Sequence, residues 1–166
     1  MSMHTAKEYL ERSDARLQTA HHILTIAYPT TQSARLLLSA TEHLFLAMDY
    51  AMNAVLVQQL SQKNILKFNG SFPSRYATFR LKLANKLGFT KTGIEQLQYL
   101  RSILLEHQKS PVEFERSHSL VICNDDYKMT LLSHDSVSDF LRIAKDFIST
   151  ARISIEESLS TSPLSH

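Results

Sequence analysis

The sequence predicts an all-α fold: an antiparallel up-and-down bundle of four to five helices, with a short β-hairpin or extended excursion before the last helix. Three observations carry that reading. Glycine and proline number only three and four in 166 residues, too few for the turns of a β-sandwich or barrel. Apolar residues recur at helical spacing through most of the chain. One stretch, 112–132, departs from that rhythm and partly alternates apolar with polar residues. The length suits one domain with one core, about 5–158 within 1–166. With 43% hydrophobic and 20% charged residues, the balance is that of a folded globular chain. No repeat, linker or low-complexity run divides it.

The first helix is expected from Thr5 to about Tyr28, where Pro29 and Thr30 should break it. The second is expected from Ser33 to about Ser61, capped by Thr31 or Ser33. It is apolar on most of its girth (Leu36, Leu37, Leu38, Leu44, Phe45, Leu46, Met48, Met52, Val55, Leu56), so it is central or covered by a second subunit. Arg35, Glu42, Asp49 and Asn53 interrupt it on one narrow stripe. A third helix, Ser74 to Leu87, turns Tyr76, Phe79, Leu83 and Leu87 inward, and Gly88 stands at its C-terminal cap. Thr92 and Glu95 have the spacing of a capping box for a fourth helix reaching about Gln108, and Pro111 should close it. Asn124-Asp125-Asp126 marks a turn inside 112–132. Ser133 or Ser136 should then cap a last helix, His134 to about Ser158, before a frayed tail.

The glycines are scattered, which excludes a dinucleotide fingerprint and a P-loop. One cysteine, Cys123, excludes an internal disulfide framework and a multi-cysteine zinc site, and its apolar surroundings read as those of a small buried residue. Histidines and carboxylates do not fall in the Glu-x-x-His pairs of a di-metal bundle, so neither metal nor cofactor is expected. The N-terminus is polar from the start, and the greasiest stretch carries Glu42, His43, Asp49 and Asn53, too polar for a membrane span. The cytoplasm is the expected compartment, with no membrane partner.

Net charge is +2, but its distribution is uneven. Residues 50–94 contain no acid and seven bases: Lys63, Lys67, Arg75, Arg80, Lys82, Lys86 and Lys91. Such a block suits contact with phosphates. The alternative is a solvated helix face whose partners lie elsewhere in the fold.

On the fourth helix, Ile94, Leu97, Leu100, Leu104 and Leu105 define the expected buried arc. Arg101 falls inside it and His107 near its other edge. A buried guanidinium must be paired or sit at an edge or interface. In a regular helix the two side chains stand about 9 Å apart along the axis and a third of a turn apart around it, so they could border one groove.

The segment Arg101-Ser102-Ile103-Leu104-Leu105-Glu106-His107, late in a helical bundle, resembles the R-x(4–6)-H motif of the HEPN family. Gln108 and Lys109 follow where that family commonly has a tyrosine. The resemblance implies a small, often dimeric bundle that binds RNA or a nucleotide, and a metal-independent endoribonuclease of toxin type. It implies His107 as acid–base group, Arg101 as phosphate clamp and Ser102 as an orienting residue. The implied partners are a second copy, RNA or a nucleotide, and a cognate antitoxin or nucleotidyltransferase-like protein. Two alternatives stand beside it. The fold could be a non-enzymatic dimerisation or partner-binding module. Arg101 could be a structural residue paired with Glu42 or Asp49, with His107 placed by the helix dipole.

Overall fold

The computed structural model describes residues 4–110 and 112–161. The chain is mostly helical, with a small three-stranded antiparallel sheet before the last helix. The expected break at Pro111 and the tail beyond Thr161 lie outside the described residues.

Helix α1 (Ala6–His22) starts at Thr5, whose hydroxyl accepts the Glu8 N–H at 3.1 Å. The chain does not break at Pro29. A π turn, Ile23–Ala27, leads into a short α2, Tyr28–Thr31, and the stop comes only at Gln32, which has φ 54°. The physical reason is local. The Tyr28 N–H reaches back five residues to the Ile23 carbonyl, and Pro29 stands in the first turn of α2, where its missing donor costs no bond.

Helix α3 (Arg35–Ser61) is the central element. Leu37, Leu44, Met48 and Met52 are fully buried on it. It follows Ala34 without a side-chain cap, so neither Thr31 nor Ser33 caps it. Helix α1 runs antiparallel along it. The Ser13 hydroxyl donates to the Ala47 carbonyl at 2.7 Å, Arg16 meets His43, and Tyr9 lies against Tyr50.

Helix α4 (Phe72–Thr78) is capped by Ser71 and continues as a second π turn, Phe79–Ala84. Gly88 follows at φ 86°, a backbone angle that favours glycine. Phe79 from this segment, Phe89 after it and Phe147 from the last helix form one aromatic cluster.

Helix α5 (Lys91–Lys109) is capped by Thr90, which accepts the Gly93 N–H at 3.1 Å. The Thr92–Glu95 box is not used. Thr90 has the extended backbone an N-cap requires, whereas Thr92 is already helical.

The 112–132 segment is larger than a hairpin: β1 (Val112–Arg116), β2 (Ser119–Cys123) and β3 (Met129–Leu132) pair in that order. Ser117 and His118, both at positive φ, make the tight β1–β2 turn. In the second turn the Asn124 side-chain oxygen accepts the N–H groups of Asp126 and Lys128. The inner face presents Glu113, Leu120, Ile122, Thr130 and Leu132 to the helices. Cys123 lies on the other face and is half-buried, not enclosed as expected.

Helix α6 (His134–Thr161) begins where Ser133 and Ser136 exchange two backbone-to-hydroxyl bonds. Its His134 stacks on Tyr28 and donates to the Leu24 carbonyl, and the Tyr28 hydroxyl donates to the His118 carbonyl at 2.8 Å. One continuous cluster of buried apolar residues runs from Ala6 to Ile155.

Candidate functional site around helix α5

The buried arc of α5 is Gly93, Gln96, Leu97, Leu100 and Ile103. At 100° per residue His107 lies about 20° from Leu100, in the middle of that arc, and Arg101 about 100° away, at its edge. This reverses the expected placement of the two. Leu105, counted as buried in the sequence reading, is 39% exposed, and Ile94 is only half-buried. Gly93 and Gln96 take their place. Gln96 is admitted because its amide donates to the Phe140 carbonyl at 2.8 Å.

His107 closes the arc at its C-terminal end. Its Nδ1 is hydrogen-bonded to the Glu113 carboxylate, which projects from the inner face of β1. The Glu113 side chain is 13% exposed, and its second oxygen lies 3.6 Å from the Arg35 guanidinium. A carboxylate only accepts, so Nδ1 donates and Nε2 is left for another partner. The ring is 36% exposed, open enough for that nitrogen to be reached.

Arg101 has no hydrogen bond or ion pair among the described residues. Its guanidinium lies 4.4 Å from the centroid of the Phe72 ring, a cation–π contact. The structural pairing with Glu42 or Asp49 is therefore not made. Glu42 is exposed, and Asp49 is taken by Arg75. Ser102 joins neither residue. It points away on the wheel, and its hydroxyl donates to the Tyr99 carbonyl at 2.6 Å.

The polar stripe of α3 divides between two contacts. Arg35 reaches Glu113, while Asp49 and Asn53 each receive the Arg75 guanidinium at 2.6 Å. Arg75 also donates to the Gly70 carbonyl. With only 17% of its side chain exposed, Arg75 is spent internally and is not offered to a phosphate. Lys91 pairs with Glu95 at 3.7 Å. Lys63, Lys67, Arg80, Lys82 and Lys86 are exposed and have no ion-pair partner among the described residues. Lys67 and Lys82 flank an open cavity of about 400 Å³ lined by Ile65, Leu66, Ala77 and Leu81.

Sequence reasoning missed Glu113 and the reach of Arg35. The alternation in Val112-Glu113-Phe114-Glu115-Arg116 was the available signal, since it sets Glu113 opposite to Val112 and Phe114 on a strand.

Two side chains near α3 and α5 have shifted proton affinities. The Tyr76 hydroxyl is pushed up, mainly by burial, and donates to the Ile94 carbonyl. His43 is held below the usual histidine value, first by burial and then by the Arg16 guanidinium, with Glu42 opposing. Arg16 donates to its Nδ1 at 3.2 Å, a bond only the neutral ring accepts. The unfolded chain therefore takes up this proton first. His43 costs stability as pH falls below about 6.5 and is silent above it. His43→Gln should flatten the decline of melting temperature between pH 7 and pH 5. Parallel curves for the two proteins would contradict the assignment.

Among the described residues no group of three or more His, Cys, Asp or Glu side chains is placed to hold a metal ion. No described helix is long and apolar enough to cross a membrane. Compared with protein-family models and with curated proteins, the chain matches none.

Proposed function

We propose that this chain is a HEPN-like helical domain that binds RNA or a nucleotide and cleaves RNA without a metal, as a toxin-type endoribonuclease. The observation that carries the reading is that α5 bears both a carboxylate-held imidazole and, six residues earlier, a guanidinium that no internal acid neutralises. Attack by a 2′-hydroxyl needs a proton moved and phosphate charge offset. His107 takes the 2′-hydroxyl proton through Nε2 as that oxygen bonds to phosphorus and returns a proton to the departing 5′-oxygen, and Glu113 fixes the ring. Arg101, steadied by Phe72, holds the phosphate oxygens. Lys63, Lys67, Arg80, Lys82 and Lys86 add non-specific affinity for the strand. Arg75, Lys91 and Ser102 have no part in it.

The helix directions support the up-and-down bundle that the reading requires. Ser13 against Ala47 sets α1 antiparallel to α3, and Gly93 against Phe147 with Gln96 against Phe140 sets α5 antiparallel to α6. A cognate antitoxin or nucleotidyltransferase-like partner and a second copy belong to the same proposal.

The test is a labelled generic RNA incubated with purified protein in excess chelator. Cleavage leaving a cyclic phosphate end is expected, with Arg101→Ala slower by about 10²-fold. Equal rates for the two proteins, or no binding by wild type at low salt, removes the reading. The second reading is a non-enzymatic module of the same fold that dimerises or docks a partner. The outer face of the sheet favours it, since Val112, Phe114, Met129 and Leu131 share that face and are exposed.

A further inference from the structure

Two leucines are left out of the core on neighbouring segments. Between α3 and α4 the core takes Ile65 and Phe68 against it and leaves Leu66 89% exposed. In the π turn after α4 it takes Phe79 and Leu83, which sets Leu81 on the opposite side, 66% exposed. Both leucines line the open cavity of about 400 Å³, with Ile65 and Ala77 as further apolar walls and Lys67 and Lys82 beside them. One exposed leucine is ordinary. Two of them on one cavity, with a few polar groups, have the make-up of a ligand site.

The polar side chains of the lining differ in what they still offer. Helix α3 ends at Lys63, φ 61°, where the Asn64 N–H returns to the Gln59 carbonyl. The Asn64 amide then donates to the side-chain oxygens of Gln59 and Gln62. The Thr78 hydroxyl donates to the Ser74 carbonyl at 2.9 Å. The side-chain donors left on the lining are therefore the ammonium groups of Lys67 and Lys82, which have no ion-pair partner among the described residues. No acid is among the lining residues or anywhere in 50–94. Arg80 stands with Glu95 beside Tyr76, and Lys86 lines an adjoining cavity with Glu157. The charge of the site thus rests on Lys67 and Lys82.

We propose that this cavity binds an anionic amphiphile, its aliphatic chain covering Leu66 and Leu81 and its anionic head held by Lys67 and Lys82. Charge complementarity selects the head, and the exposed leucines select the chain. A bare anion or an RNA strand satisfies the lysines and leaves the leucines in water. A free fatty acid and an anionic bilayer lipid share the required chemistry. The inference stands apart from the nuclease reading, because RNA contact uses the two lysines and not the leucines, and its test uses no RNA.

Isothermal titration of the full chain with decanoate, below its micelle concentration, should show binding with a negative heat-capacity change. Acetate, with the same charge and no chain, should show none. Leu66→Ser and Leu81→Ser should each weaken decanoate binding by about tenfold, and Lys82→Gln by about fivefold. Circular dichroism should be unchanged in all three, since these side chains already meet solvent. Co-sedimentation with phosphatidylglycerol vesicles, and not with phosphatidylcholine vesicles, assigns the bilayer lipid, and decanoate binding alone assigns the free acid. Binding in neither arm, acetate bound as tightly as decanoate, or leucine variants that bind as tightly as wild type overturns the proposal.

Discussion

His107→Gln is expected to lower RNA cleavage by about 10²- to 10⁴-fold, the usual worth of a positioned acid–base group, with the melting temperature nearly unchanged. Glutamine keeps an N–H that can reach Glu113, so the helix end and β1 stay joined, but it cannot carry a proton at neutral pH. Arg35→Ala should cost little. That guanidinium is 66% exposed and lies 3.6 Å from the carboxylate, the range in which surface ion pairs contribute about 1 kcal/mol or less. The comparison of the two variants separates proton handling from mere charge near the site. Cleavage by His107→Gln at the wild-type rate leaves the interaction-module reading in place of the nuclease.

Phe79→Ala is expected to reduce unfolding free energy by about 3–5 kcal/mol. The ring is fully buried, 4.8 Å from the Phe89 centroid and 5.8 Å from that of Phe147. Its loss removes apolar burial and two aromatic contacts, and it leaves a space that three separate chain segments would have to close. Phe79→Leu keeps most of the volume and should cost less than half as much. Urea denaturation measures both. A loss under about 1 kcal/mol for the alanine variant would contradict this packing.

The long α3 was legible because nearly every turn of it is apolar, and its ends were misread by only two residues at the start. The continuation past Pro29 was not legible. A π turn has no compositional mark, and Ile23–Ala27 reads like any helical stretch. The third strand was hidden for a different reason. Met129-Thr130-Leu131-Leu132 is too short to show a period and becomes a strand only by pairing with β2. On α5 the sequence put Arg101 inside the buried arc and His107 near its edge, and the structure exchanges the two. Hydrophobicity counted Ile94 and Leu105 as core and could not see that Gly93 and Gln96 would be buried by Phe147 and the Phe140 carbonyl. Glu113 was missed because in β1 the charged face points inward and the apolar face outward, the opposite of the usual rule.

The Tyr28 hydroxyl joins a carbonyl 90 positions later in the chain, and His134 stacks on the same ring. A nascent chain halted before residue 118 lacks this tether, whereas the contacts of α1 with α3 through Tyr9, Ser13 and Arg16 need no residue beyond Tyr50.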